Sequence, residues 1–267
     1  MLVNINTQGH TFSESNYRYL NFINEIKKSI NKDGYAHSGI KSNKMDFLKS
    51  LLSSIDSKNI QDYKDSWNFL EQDQYMLDQG KYRYRKHTVF SASSLDLYPI
   101  IPQKNKPHFQ HINYNELNGG IERWYKPIDK EVLINPCFYY QLLYPLKIFN
   151  ALEKNNIEEN FFEWYIEAHQ FRIYAKNEEG KPTPEGIHRD GVSYVYISMV
   201  QKKNIYGGVS RIFDNKKDII KKVEMEKTFE SLYLDDKMLY HDVSPIRPKN
   251  NQEDAFRDVL VVTFKRI

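Results

Sequence analysis

The last 110 residues of the chain leave few folds open. Short runs of strand-forming residues recur at 164–175, 192–200, 209–214, 231–234 and 258–264, divided by Asn, Gly, Pro and Asp. Strands this short and numerous bury an apolar face only by stacking sheet on sheet or closing a sheet on itself. The pattern therefore predicts a sandwich, jelly roll or barrel. The β-rich texture begins after Gly80, where Tyr82, Tyr84, Val89 and Phe90 sit among polar residues, and 97–102 and 109–114 add short candidates bounded by turn residues.

Upstream the period changes. Tyr17, Leu20, Ile23, Ile26 and Ile30 recur at steps of three and four, predicting an amphipathic helix over 13–31 that stops at Asp33-Gly34. Met45, Phe47, Leu48, Leu51 and Leu52 predict a second helix over 43–54, and a third is expected near 62–75. One further helix, over 135–154, interrupts the β-rich part with an apolar face of Phe138, Leu142, Leu143, Leu146, Phe149 and Leu152 and should pack against a sheet. Without an internal repeat or a low-complexity linker, residues 1–80 read as a helical elaboration of a mainly β core over 81–267, in one integrated domain.

A chain of 267 residues with 40% apolar content can bury a sizeable core. Its 38 basic and 35 acidic residues are interspersed, leaving no electrostatic footprint for nucleic acid. Cys137 is the only cysteine, which excludes an internal disulfide framework and predicts a buried structural thiol in a reducing compartment. No basic segment leads into an apolar run at the N-terminus, and no stretch approaches the ~20 apolar residues of a membrane span. The expectation is a cytoplasmic protein with no membrane partner.

The chemistry concentrates in Pro182-Thr183-Pro184-Glu185-Gly186-Ile187-His188-Arg189-Asp190-Gly191. A rigid turn leads into His188 and Asp190, and on an extended chain residues two apart point to one side, so imidazole and carboxylate can converge on one ion. His241 follows Asp190 by 51 residues at a strand-like position. Two histidines and a carboxylate make the facial triad that leaves open positions on iron(II), where a bidentate 2-oxo acid and dioxygen can bind. A His-x-Asp alone is a common coincidence; the turn, the β-rich surroundings, His241 and an arginine sixteen residues beyond it give it weight. That arginine, Arg257, offers a planar fork suited to the far carboxylate of 2-oxoglutarate, the alternative being a strand-edge surface residue.

These residues resemble the 2-oxoglutarate/iron(II) dioxygenases grouped around bacterial L-isoleucine 4-hydroxylase, which act on free amino acids. The resemblance is carried by His169-Gln170-Phe171-Arg172, the run from Pro182 to Gly191, Gly207-Gly208, His241-Asp242-Val243-Ser244-Pro245-Ile246 and Arg257-Asp258-Val259-Leu260-Val261-Val262-Thr263-Phe264, and covers roughly residues 80 to 267. It implies a double-stranded β-helix core (jelly roll, cupin-like), iron(II) on His188, Asp190 and His241, and 2-oxoglutarate on Arg257. It also implies dioxygen as oxidant, with hydroxylation of an aliphatic C–H bond of a free L-amino acid or similar small molecule and conversion of 2-oxoglutarate to succinate and CO2.

Several residues carry secondary expectations. Gln170, Arg172 and Tyr174 alternate with Phe171 and Ile173; if their face looks into the barrel, Gln170 and Arg172 reach substrate, and otherwise Arg172 makes a salt bridge or structural hydrogen bond. Tyr194 shares the parity of Asp190 and lines the pocket unless the bend after Gly191 resets the phase. Arg123 is a further substrate-binding candidate from the segment before the core. Gly207-Gly208 reads as a turn and not as a phosphate loop. His87, His108, His111 and His169 lack a partner at comparable spacing and read as surface or hydrogen-bonded histidines.

Two rivals remain. His188-Arg189-Asp190 matches the start of a protein-kinase catalytic loop, but that loop needs an asparagine at the position held by Val195, and neither a glycine-rich loop nor Asp-Phe-Gly is present. The stronger rival is a non-catalytic metal-binding jelly roll serving as a sensor or ligand-binding module. Arg257 argues against it, because a co-substrate clamp has little purpose beside a structural metal.

Overall fold

The computed structural model describes residues 11–39, 54–94, 100–112, 114, 119–154, 161–176 and 178–267; the helix expected over 43–54 lies outside the described residues. Strands before the long helix are β1 (Tyr35–Ser38), β2 (Glu71–Gln72), β3 (Arg83–Ser93), β4 (Ile101–Pro102), β5 (His108–Phe109) and β6 (Glu122–Arg123). After it come β7 (Glu163–Tyr174), β8 (Tyr194–Lys203), β9 (Ile205–Gly207), β10 (Ser210–Phe213) and β11 (Ile219–Val223). The last four are β12 (Ser231–Asp235), β13 (Tyr240–Val243), β14 (Ile246–Pro248) and β15 (Phe256–Arg266).

An antiparallel major sheet runs in the order β1-β12-β8-β15-β7-β3-β2, with β4 added to β3. Facing it is a minor layer of β11-β10-β13 and β14-β9, extended by bridges from Gly180 to Ile246 and from His188 to His241. Val195, Ile197, Met199, Leu232 and Val259 of the major sheet pack against Ile212, Val223 and Leu239 of the minor layer, forming the core between them. The fold is the expected jelly roll with helical cover.

The other face of the major sheet is closed by helices. The first, Thr11–Asp33, buries Phe22, Ile26 and Ile30 and ends where Gly34, at φ 76°, returns its N–H to the Ile30 carbonyl. The helix Pro136–Glu153 starts with proline in its first turn and the Asn135 side chain accepting from the Cys137 N–H, and lays Leu146 and Phe149 into the same core as Tyr194, Leu260 and Phe264. Cys137 is buried there as a free thiol. The helix expected over 62–75 instead occupies Ser57–Asp65, followed by a 3-10 turn at Ser66–Phe69. The chain turns extended at Leu70 because Trp67 is buried and tied to the Phe171 carbonyl at 3.1 Å. Strands from both sides of residue 80 share one sheet, since β1 and β2 form its two edges.

Register decides which side chains enter the space between the layers. Arg257 sits opposite Ile173 on β7 and Ile173 opposite Arg83 on β3, so the odd-numbered residues of these strands share the inner face. Even-numbered Trp164, Ile166, Leu260 and Phe264 pack under the helices.

Candidate metal centre and substrate cavity

His188 and His241 are joined as a two-residue antiparallel bridge, each giving its N–H to the other's carbonyl at 3.1 and 3.0 Å. This pairing brings the two imidazoles to 4.4 Å between ring centres. Asp190 completes the group, with Oδ1 3.8 Å from His188 Nε2 and Oδ2 3.5 Å from His241 Nε2. His188 Nδ1 donates to the Gly186 carbonyl at 3.0 Å, which leaves Nε2 as the free ligand atom and fixes the ring. The three donors lie within 4.8 Å of one another, and this two-nitrogen, one-carboxylate set suits iron(II) with positions left open.

One residue unforeseen from the sequence holds this arrangement. Asp236, buried at 2% exposure, accepts the backbone N–H groups of Asp190, Gly191 and Val192 at 3.0, 2.8 and 3.1 Å. The carboxylate thereby pins the turn that carries Asp190, with Gly191 supplying the positive φ the turn needs. Gln110 Nε2 donates to Asp190 Oδ1 at 3.1 Å.

Charges differ between the two histidines. Burial lowers the His188 pKa, but Glu185 and Asp190 outweigh it and hold the pKa above the usual histidine value. For His241 burial prevails, aided by the neighbouring His188, and the pKa falls to about 3. Burial, reinforced by Glu185, raises the pKa of Asp190 despite His188 beside it.

The triad opens into a cavity of about 570 Å³ that Arg257, Arg83, Arg85, Arg123, Glu185 and His108 also line. Arg257 is 2% exposed, makes no ion pair among the described residues, and has both Nε and Nη2 buried without a hydrogen-bond partner. Burial lowers its pKa to about 10, against the partial support of Asp258. A desolvated guanidinium with free donors calls for an anionic ligand, as the far carboxylate of 2-oxoglutarate would be. Gly207-Gly208 makes the expected turn and does more: a Cβ on Gly208 would come within 3.1 Å of Arg257 Cδ, so the glycine gives that side chain its room.

A second histidine group lines the same cavity. His87 faces His169 directly across β3 and β7, and His108 and Glu167 complete a set whose ligand atoms also lie within 4.8 Å. Its atoms, however, are already committed. Glu167 Oε1 accepts from His87 Nε2 and His108 Nδ1 at 3.0 Å each, and Arg85 Nη2 donates to His169 Nδ1 at 2.5 Å. Burial keeps the imidazoles neutral, with His108 at about 4, while its two histidine partners outweigh burial and hold Glu167 ionised. With a guanidinium bonded to one member, the group is a hydrogen-bonded wall and not a cation site.

Of the secondary expectations, Arg123 reaches the cavity and three residues do not. Arg172 forms a bidentate pair with Asp258 at 2.7 and 2.6 Å and donates to Asn68, all on the helix side of the sheet. Gln170 donates to Ser66 on that same side. Tyr194 stacks on Phe149 at 4.4 Å and donates to Glu153, because the bend at Gly191 resets the strand's phase. Gln170 and Arg172 of β7 thus lie under the helices beside Trp164 and Ile166, and Glu167 and His169 on the other face look inward. His111 is exposed on the cavity's rim, and the other three histidines have the partners that spacing along the chain did not reveal.

A jelly roll with this triad and, in its cavity, a buried arginine that forms no ion pair among the described residues defines a class, and the family comparison agrees with it. The family model described as 2OG-Fe dioxygenase matches residues 64–263, and the chain belongs to that family. Its members use iron(II), 2-oxoglutarate and dioxygen. Among relatives, the chain is 27% identical over 165 residues to the 3(1)-hydroxy-L-isoleucine 4-dioxygenase of Pantoea ananatis, a match covering 61% of this chain and 65% of that protein's length. A crystal structure of a bsmA homologue from Methylobium petroleophilum superposes with a TM-score of 0.78 at 29% identity, covering 91% of this chain and 92% of that one. The structure of IDO from Bacillus thuringiensis shares the fold at a TM-score of 0.71 and 20% identity, over 92% and 99% of the two chains. No described helix is long and apolar enough to cross a membrane.

Proposed function

We propose that this dioxygenase hydroxylates an aliphatic C–H bond of a free L-amino acid or closely similar small molecule, with His188, Asp190 and His241 holding iron(II) and Arg257 holding the far carboxylate of 2-oxoglutarate. The observation that supports the co-substrate assignment is the buried Arg257 guanidinium, which lines the cavity of the triad and whose Nε and Nη2 have no hydrogen-bond partner among the described residues. When bound, iron(II), 2-oxoglutarate and dioxygen supply the oxidant and yield succinate and CO2. The chain's own part is to present two imidazole nitrogens and one carboxylate beside a rigid turn, orient the substrate carbon, and exclude water on the Phe171, Ile197 and Val259 side of the cavity. The amino-acid class is supported by the activity named for the Pantoea relative. A cytoplasmic setting fits the buried free thiol of Cys137, whose pKa burial pushes up to about 11.

Anaerobic addition of iron(II) and 2-oxoglutarate should produce the weak visible metal-to-ligand charge-transfer band of this chelate. Asp190→Ala should abolish it and cut turnover far beyond the roughly 10- to 100-fold carried by outer-sphere partners. Succinate release across a panel of free L-amino acids identifies the substrate. A folded protein without the band would be a binding module, and a band without amino-acid-stimulated turnover would remove the substrate class alone.

A further inference from the structure

The cavity holds two opposite buried charges that do not meet. The turn at 183–186, closed by the Gly186 N–H on the Thr183 carbonyl at 3.0 Å, brings Glu185 to the wall beside the metal centre, with Oε1 3.7 Å from His188 Nε2. The Glu185 side chain is 11% exposed, and its Oε2 is sealed from solvent with no hydrogen-bond partner among the described residues. Arg83 on β3 is 4% exposed and uses Nε for Asp73 at 2.8 Å, leaving Nη2 equally sealed and unpartnered. Asp73 is the only carboxylate within 4.0 Å of Arg83 among the described residues, so Arg83 and Glu185 form no ion pair. They do feel each other: against burial, Asp73 and then Glu185 raise the Arg83 pKa. Arg85, next on the same face of β3, and Arg123 also line the cavity and keep Nε unpartnered.

Burying ionised groups with unmade hydrogen bonds is costly, and only certain ligands relieve both ends. A simple anion satisfies the arginines and leaves Glu185 stranded. An amine does the reverse, and an uncharged aliphatic molecule relieves neither. A zwitterion with ammonium and carboxylate on one carbon relieves both at once.

We propose that Glu185 and Arg83 form a dipolar clamp for an α-amino acid, the Glu185 carboxylate accepting from the ammonium while the Arg83 guanidinium, with Arg85 beside it, donates to the carboxylate. The clamp rests on the amino-acid reading above and adds to it the recognising residues and the polarity of binding. Because Glu185 borders His188, the amino end of the substrate lies toward the metal.

The test titrates the anaerobic full chain, loaded with iron(II) and 2-oxoglutarate, with the twenty standard L-amino acids, following the shift of the charge-transfer band. The amino acid that binds best is then compared with its deaminated acid and its α-carboxamide. In the wild type, losing either charge should weaken binding by about 10- to 100-fold, as expected for a charge-assisted hydrogen bond. Glu185→Gln should weaken the amino acid by the same factor, leave the deaminated acid unaffected and retain the starting band; Arg83→Gln should mirror this for the carboxamide. Equal wild-type binding of the amino acid and its deaminated acid overturns the clamp without need of any variant. Loss of the starting band in Glu185→Gln overturns it too, making Glu185 a metal ligand. If no amino acid shifts the band, the amino-acid reading itself falls and the clamp with it; if one does but ignores both substitutions, the clamp alone falls.

Discussion

Two histidine groups share one cavity, built from nearly the same side chains and compact to the same degree, and only one is suited to a metal. In the first, His188 Nδ1 is tied to a backbone carbonyl and both Nε2 atoms and the Asp190 carboxylate point toward a common space. In the second, the Glu167 oxygen is already shared by two imidazoles and the third imidazole accepts from Arg85. Residue type and spacing are therefore insufficient; what separates them is where the remaining hydrogen bonds go. A metal site keeps the lone pairs of its imidazole ligand atoms unspent and places its outer bonds on the far side of the ligands, whereas a structural wall spends those lone pairs on itself.

The sharpest way to break this contrast is to count metal. The wild type should bind one iron(II) per chain, His241→Ala none at high affinity, and His169→Gln still one. Two equivalents in the wild type, reduced to one by His169→Gln, would make the second group a metal site after all.

Next in size is the ion pair beneath the second group. Asp73 contacts Arg83 at 2.8 Å and Arg85 at 3.6 Å, all three buried. Asp73→Asn leaves both guanidinium groups without a carboxylate and should cost about 3–5 kcal/mol in urea unfolding, the range for breaking one side of a buried pair. Burial raises the Asp73 pKa but Arg83 and Arg85 outweigh it and hold it low. Its contribution is therefore present above the ordinary aspartate range and lost as pH falls through the depressed folded value. The wild-type advantage over Asp73→Asn should shrink with acid; a constant difference would mean that the pair's charge is not what stabilises the fold.

A smaller effect is expected behind the triad. Asp236→Asn keeps the shape but weakens the acceptor of three backbone N–H groups, and should lower iron(II) affinity by about 10- to 100-fold with one equivalent still bound at saturation. Unchanged affinity would show that the turn at Asp190 holds its geometry without this support.

The legible parts of the chain were those whose signal is local. Strand alternation, the turn ahead of His188 and the His-x-Asp spacing all lie within a few residues, and they point to the jelly roll and the triad. The face of Arg172 stayed open in the sequence because it depends on register: once Arg257 is set opposite Ile173, the inner residues of β7 must be odd-numbered, and no pattern within 164–174 reveals that partner. The same holds for His87 and His169, neighbours across two strands but 82 residues apart, and for Asp236, 46 residues from the backbone N–H of Asp190. One signal was readable: Arg83, Arg85 and His87 at alternate positions mark a charged inner stripe on a strand. Their side chains are buried, and polar residues at alternating buried positions have ligands or partners to meet.

The mildest perturbation tests the wall itself. Glu167→Gln retains an acceptor for one imidazole and removes the charge, so a loss of about 1–2 kcal/mol is expected with iron(II) stoichiometry unchanged. Below neutrality the neutral imidazoles add their own dependence. His108, held near pH 4 chiefly by burial, takes up its proton more readily when unfolded, so its burial costs stability progressively as pH falls from about 6.5 toward 4. His108→Gln should therefore flatten the urea-midpoint profile across that window, whereas Glu167→Gln, which removes a carboxylate held ionised in the fold, should alter the profile chiefly at and below the ordinary glutamate range. Identical profiles in the two variants would mean that the wall titrates as neither a histidine nor a carboxylate site, and its resemblance to the metal centre would then have to be explained by something other than committed hydrogen bonds.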